Sequence, residues 1–358
     1  MTTPILQAQI VIACAKFEAT FAALTGELGF RVETIFPADA PTSAVISGHG
    51  VTLRLEAVSK ALVGTPAVLR LITHQPPSDI RVPDLMIDWV QNVSQLTVPE
   101  GKQEFIISRN GDDDAWSVGR AGMHYRDLIP GRFGGRFIAS HIRIPTGGPV
   151  PDYVHFHRVR FQMIFCKSGW VKVVYEGQGE PFVMQAGDCV LQPPQIRHRV
   201  LEASAGLEVI ELGCPAVHET HADHQMALPT LHHQPERSFD GQRFVRHIAA
   251  DADWLAWQWL GSDATRFEMR DTGINAATAG LASARVVRGG AGGITASASH
   301  HGELVFVFVL NGVLQLQGDV IGEQVLRDGD CATISAGHIV ALHAETKVEF
   351  LEVTLPAT

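Results

Sequence analysis

The stretch that decides the fold is Val154-His155-Phe156-His157, followed by Gln162, Gly169, then Gly187-Asp188, Pro193-Pro194-Gln195 and His198. His155 and His157 are two apart in an apolar run that reads as a strand, so their imidazoles share one side of it. His198 follows a proline-rich turn, where a neighbouring strand brings it alongside them. Three imidazoles converging in this way suit Fe, Zn, Cu or Ni. Gln162 lies five positions after His157 and so has the opposite parity unless the chain bends between them. It is read either as a neutral oxygen ligand or as a hydrogen-bonding support for the ligands. Tyr153 shares the parity of the two histidines and is a candidate pocket wall. Gln192, beside the second half of the pattern, is another.

From about residue 120 the pattern repeats. Arg126-Asp127 recurs as Arg270-Asp271, Gly169 as Gly312, and Gly187-Asp188-Cys189 as Gly329-Asp330-Cys331, at offsets of 144, 143 and 142. A slowly drifting offset is the trace of a duplicated domain with small insertions and deletions. Short apolar runs punctuated by Gly, Pro and Asn in each copy indicate antiparallel sandwiches or barrels. Counting back seven from Gly312 sets Val305 at the place of Gln162, while Ser299 stands for His155, His301 for His157 and Val340 for His198. The second copy is therefore expected to be a structural barrel without metal.

The two motifs of the first copy resemble the cupin signatures G-x5-H-x-H-x(3,4)-E-x6-G and G-x5-P-x-G-x2-H. Gln162 stands for the usual Glu, and Gln195 for the second Gly. The resemblance implies a mainly β chain with two cupin double-stranded β-helix barrels. It also implies one divalent metal per chain, held by His155, His157 and His198 with a variable fourth group. Fe(II) is favoured, with Zn, Ni, Mn or Cu as alternatives. The arrangement resembles bicupin dioxygenases, in which one barrel works and the other supports it.

Residues 1–72 read as strand, helix and three strands, a small α+β (βαβββ) module. Phe17, Phe21, Leu24 and Leu28 line one helix face that Gly29 ends, and Gly48-His49-Gly50 is a hairpin turn. The unit resembles half of a vicinal oxygen chelate (glyoxalase-like) domain. Gln7 or Gln9 falls where a metal-binding His would be expected, so a packing or dimerisation role is assigned. Residues 73–119 are read as a connecting segment with a short helix over 85–96. The metal-binding barrel is placed at 120–213, a His-rich connector at 214–243 and the degenerate barrel at 244–358. His218, Glu219, His221 and His224 in the connector are read as an exposed or interface cluster.

Composition bounds the partners. With 28 Lys+Arg against 38 Asp+Glu the formal charge is −10, the wrong sign for gripping a phosphate backbone, so no nucleic acid is expected. No run approaches the ~18 apolar residues of a membrane span, and no signal peptide is visible. Five cysteines without a C-x-x-C point to a reducing, cytoplasmic setting. Three functional readings stand: an oxygenase acting on a small aromatic or dicarbonyl substrate, with Gln162 in a catalytic role; a non-catalytic small-ligand-binding bicupin; and a metal-dependent isomerase or lyase. A homodimer is expected, because an open sheet in the N-terminal module needs cover.

Overall fold

Phe161-Gln162-Met163-Ile164-Phe165-Cys166 alternates between two different apolar environments. In the computed structural model, which describes residues 5–58, 68–74, 86–91, 96–101, 103–111 and 116–356, this run is part of the strand Phe161–Ser168. Phe161, Met163 and Phe165 face the second copy and pack in one cluster with its Leu304, Phe306 and Phe308. Ile164 and Cys166 face the interior of the first barrel. The strand Leu207–Cys214 alternates likewise: Ile210, Leu212 and Cys214 join the inter-barrel cluster, while Leu207 and Val209 turn inward. Period-two alternation thus serves two cores with one strand.

The chain is mainly β, and each copy folds as a β-barrel. In the first, one sheet orders the strands Phe182–Gln185, Trp170–Tyr175, His198–Ala203 and His155–His157. Its partner sheet is built on Cys189–Leu191, Phe161–Ser168, Leu207–Cys214 and Ile138–Ile144. The second barrel is organised by two long strands, Ser283–Thr295 and Leu304–Gly318. Its interior is filled by Trp257, Trp259, Phe267 and Phe350 among others.

The barrels exchange arms. Ile106–Ser108, which precedes the first barrel, pairs with Cys331–Thr333 of the second. Val245–His247, which precedes the second barrel, pairs with Cys189–Leu191 of the first. Each arm is fastened by the Gly-Asp-Cys turn it meets: Asp188 Oδ1 accepts from the Ala249 amide at 2.9 Å, and Asp330 Oδ1 accepts from the Asn110 amide at 2.7 Å. The duplicated motif is therefore the socket of a reciprocal swap.

The N-terminal module has the strand–helix–three-strand order: Gln7–Cys14, Phe17–Ala22 continued by a π-turn at Ala23–Glu27, then Arg31–Phe36, Ser43–Gly48 and Val51–Ala57. Gly29 has a φ of 71° after the helix, and His49 and Gly50 have φ of 51° and 80° in the hairpin turn. The sheet runs past residue 72, since Val68–Thr73 pairs with the first strand and Met86–Gln91 pairs with Val68–Thr73. The helix expected at 85–96 is corrected here: Met86–Gln91 is a strand, its β-branched and aromatic residues suiting a pleated surface. The connecting segment 73–119 is likewise more than a tether, for its strands enter three different sheets.

The module joins the first barrel through the His-rich connector. The strand Thr220–Ala222 pairs with His155–His157 on one side and with Arg31–Phe36 on the other. One continuous sheet therefore runs from the first barrel into the module.

Candidate metal centre

The metal-site histidines are set by a strand only three residues long. His155–His157 lies between His198–Ala203, with His155 opposite His198, and the connector strand. His155 and His157 point inward, at 1% and 9% exposure, beside His198 at 6%. Phe156 points outward, stacked on His221 at 5.1 Å with the Arg197 guanidinium 4.2 Å over its ring. One nitrogen from each of the three histidines lies within 4.8 Å of the others.

The donor set fits a divalent cation. His155 Nδ1 donates to the Tyr153 carbonyl at 2.8 Å, and His198 Nδ1 to the Ile196 carbonyl at 3.0 Å. Both bonds set the tautomer with the coordinating lone pair on Nε2 and fix the ring planes. Asp152 supports the same turn, accepting from the Val200 amide at 2.9 Å with its other oxygen 3.5 Å from His155 Nδ1.

The parity problem of Gln162 is resolved by a bend between His157 and Phe161, where the chain passes from one sheet to the other. Gln162 lines the same cavity as the three histidines, and its Nε2 donates to Glu211 Oε1 at 2.5 Å. Gln192 also lines the cavity and donates from Nε2 to the Tyr175 hydroxyl at 2.9 Å. Tyr153 is not among the lining residues. Its ring packs edge-on to His155 at 5.9 Å, and its carbonyl orients that ligand.

Several lining residues escaped the sequence reading. Glu211 is the one carboxylate on the inward face of its strand, beside Leu207 and Val209, a legible signal. Tyr175 stacks on His198 at 5.5 Å, and burial pushes its hydroxyl well above the ordinary phenol range. His218 meets His157 edge-on at 5.3 Å, with its Nδ1 held at 2.7 Å from the Pro215 carbonyl. The connector histidines are thus dispersed: His218 faces the cavity, His221 lies in the bridging strand, and His224 Nε2 meets the Val32 carbonyl at 2.6 Å. Phe36, Pro37, Ala38 and Asp39 of the N-terminal module complete the mouth, with Arg132 across from them. The cavity holds about 130 Å³, and much of the rest of its wall is aliphatic, including Ile142, Ile164, Val173 and Val209.

The second barrel corrects the register of the repeat by one residue. Ala298 pairs with Val340 as His155 pairs with His198. The Gly337 amide donates to the His300 carbonyl at 2.9 Å, as the Gln195 amide donates to that of His157 at 2.9 Å. His300, not His301, is therefore the counterpart of His157, and Ala298, not Ser299, that of His155. A one-residue deletion between the Arg-Asp and histidine motifs shifted the alignment taken from sequence. His300 is buried with Nε2 bound to the Ile334 carbonyl at 2.8 Å, whereas His301 is exposed. Among the described residues, the triad in the first barrel is the one cluster of three such side chains placed to hold a metal.

Comparison with known proteins identifies this part of the chain.

Residues 140–211 match the cupin domain family.

The cupin match contains all three histidines and Gln162. Solved structures extend the likeness to nearly three quarters of the chain. Bacillus subtilis oxalate decarboxylase shares 10% identity at a TM-score of 0.52, over 73% of this chain and 80% of its own. The Lactobacillus farciminis oxalate decarboxylase formate complex shares 13% at 0.51, over 73% and 89%. Salicylate 1,2-dioxygenase from Pseudaminobacter salicylatoxidans shares 17% at 0.50, over 72% and 85%. At these identities the likeness is one of fold. No curated protein matches the sequence. Among the described residues, no helix is long and apolar enough to cross a membrane.

Proposed function

We propose that the chain is a metal-dependent oxygenase of the bicupin type, acting in the first barrel on a small aromatic or dicarbonyl compound. The observation that carries this reading is a neutral three-histidine donor set lining a small, largely aliphatic cavity. A bound Fe(II) would supply a Lewis-acid centre and a one-electron couple. Neutral ligands leave the cation's charge to an incoming anionic chelator. His155, His157 and His198 hold the cation, while Gln162 meets it or the substrate. The aliphatic walls exclude water and suit a ring or alkyl backbone better than a bare dicarboxylate. Arg132, committed to Asp39 at 2.6 Å and Asp127 at 2.9 Å, frames the entrance. The N-terminal module, read as one half of a glyoxalase-like domain, serves as a wall of the site.

Glu211 favours one second reading. A carboxylate in the cavity of the triad suits proton transfer by an isomerase or lyase, with the metal polarising a carbonyl. Oxygen uptake by Fe(II)-loaded protein, screened over phenols and 1,3-dicarbonyls, separates the two. Substrate-dependent oxygen consumption is expected. Turnover of a hydroxy-keto acid without oxygen uptake would replace the oxygenase with the isomerase or lyase, and ligand binding without turnover would leave a binding protein.

A further inference from the structure

We infer that Glu211 is a positioning residue that turns the amide oxygen of Gln162 toward the metal, so that two side chains do the work of the single carboxylate of the usual signature. The inference rests on the triad holding a metal and not on the oxygenase reading.

Three observations carry it. First, the register of the strands selects the pair. Gln162 lies opposite Gly213, which has no side chain, and Glu211 lies opposite Ile164. Glu211 is therefore the diagonal neighbour of Gln162 on the inward face, and Gly213 puts no side chain of its own between them. Second, the chemistry fixes the orientation of the amide. A carboxylate accepts hydrogen bonds, so the amide group 2.5 Å from Glu211 Oε1 is the NH₂. The oxygen is then directed to the other side of the amide, within the cavity the histidines share. Third, the duplicated barrel gives an internal comparison. Ser140 and Glu211 are paired in the first barrel as Arg285 and Glu352 are in the second. Glu352 thus occupies the counterpart position, while Val305 replaces Gln162 and Thr354 replaces Gly213. There the carboxylate is 1% exposed and accepts from Trp257 Nε1 at 3.2 Å, with Arg285 at 3.5 Å. The fold keeps a carboxylate at this place in both barrels. Its partner is an amide where the histidines converge, and an indole and a guanidinium where they do not.

The test uses Co(II) titrated into the full-length apoprotein, read by its visible d–d absorption and by affinity. Glu211→Ala should change the absorption envelope and weaken Co(II) binding about 10- to 100-fold, the usual cost of losing an outer-sphere partner, and Gln162→Ala should do both at least as strongly. Glu211→Gln keeps a carbonyl acceptor for the Gln162 NH₂ and should stay within about threefold of the parent. A side chain that merely fills space would not move the d–d bands. If Glu211→Ala fails to fold, Glu211→Leu fills the volume without an acceptor and should behave as the alanine variant is expected to. Parent-like spectra and affinity in either Gln162→Ala or the acceptor-free Glu211 variant would overturn the inference. A parent protein that takes up no Co(II) would overturn it together with the metal site, whereas a loaded protein lacking oxygenase activity would leave it standing.

Discussion

Asp39 of the N-terminal module holds Arg132 of the first barrel at 2.6 Å across the mouth of the cavity. The contact joins residues 93 apart, and the Ser117 hydroxyl ties down the Asp39 carbonyl at 3.0 Å. Gly119 fits beneath this loop because it has no side chain. A Cβ there would lie 2.3 Å from the Ala38 carbonyl oxygen and 2.9 Å from that of Asp39. Gly119→Ala should therefore displace the mouth at a cost of about 1–3 kcal/mol. Hydrogen exchange should rise across Phe36–Asp39 while the second barrel stays protected. Unchanged exchange in that loop would show that the module is not packed against the entrance.

The barrels are clamped by Glu303, which accepts from Arg160 at 2.7 and 3.0 Å and from Arg136 at 2.5 Å. Hydrogen bonding to Arg160, then to Arg136, holds its carboxyl down at about 2. An unfolded chain takes up this proton at higher pH than the folded one, so the clamp stabilises fully above the ordinary carboxylate range. That stability fades as pH falls through about 2. Solvent reaches the group, which limits the effect to ~1 kcal/mol. Glu303→Gln should lower the melting temperature at pH 7 and narrow its gap to the parent as pH drops below ~4. Parallel melting curves across that range would remove the clamp from the account.

Gln195 adopts a φ of 62° in the turn before His198, at the position where the cupin signature carries glycine. A side chain in the left-handed region costs ~1–2 kcal/mol, against which glycine adds up to ~1 kcal/mol of chain entropy. Gln195→Gly should thus be neutral to slightly stabilising in thermal melts and should leave metal content intact. A loss above ~1 kcal/mol would mean that the glutamine side chain has a role in the turn.

How much of this was legible in sequence depends on the physical range of each signal. The triad was, because strand periodicity and a proline-rich turn are local. Gln162 was half legible: its spacing announced a bend without giving its direction. Glu211 could have been found from the alternation Leu207, Val209, Glu211, which sets one carboxylate on an apolar inward face. Asp39, Arg132 and His218 could not, since they meet through pairings more than 60 residues apart in sequence. The one-residue error in the second barrel arose where a motif without its neighbours was too short to fix a register. The expected homodimer was motivated by an open edge in the module, and the chain covers one edge itself, with Thr220–Ala222 on Arg31–Phe36. The proposal now rests on the exposed Ile5, Leu6, Ile10, Leu28 and Val51. Light scattering should give twice the 38.8 kDa of one chain, and a single-chain mass would reject it.

We propose one metal per chain, in the first barrel, held by His155, His157 and His198. Elemental analysis of purified protein, alongside His157→Ala and its true counterpart His300→Ala, tests it most directly. One equivalent is expected in the parent, none in His157→Ala and one in His300→Ala. Metal retained by His157→Ala, or lost from a folded His300→Ala, would contradict it.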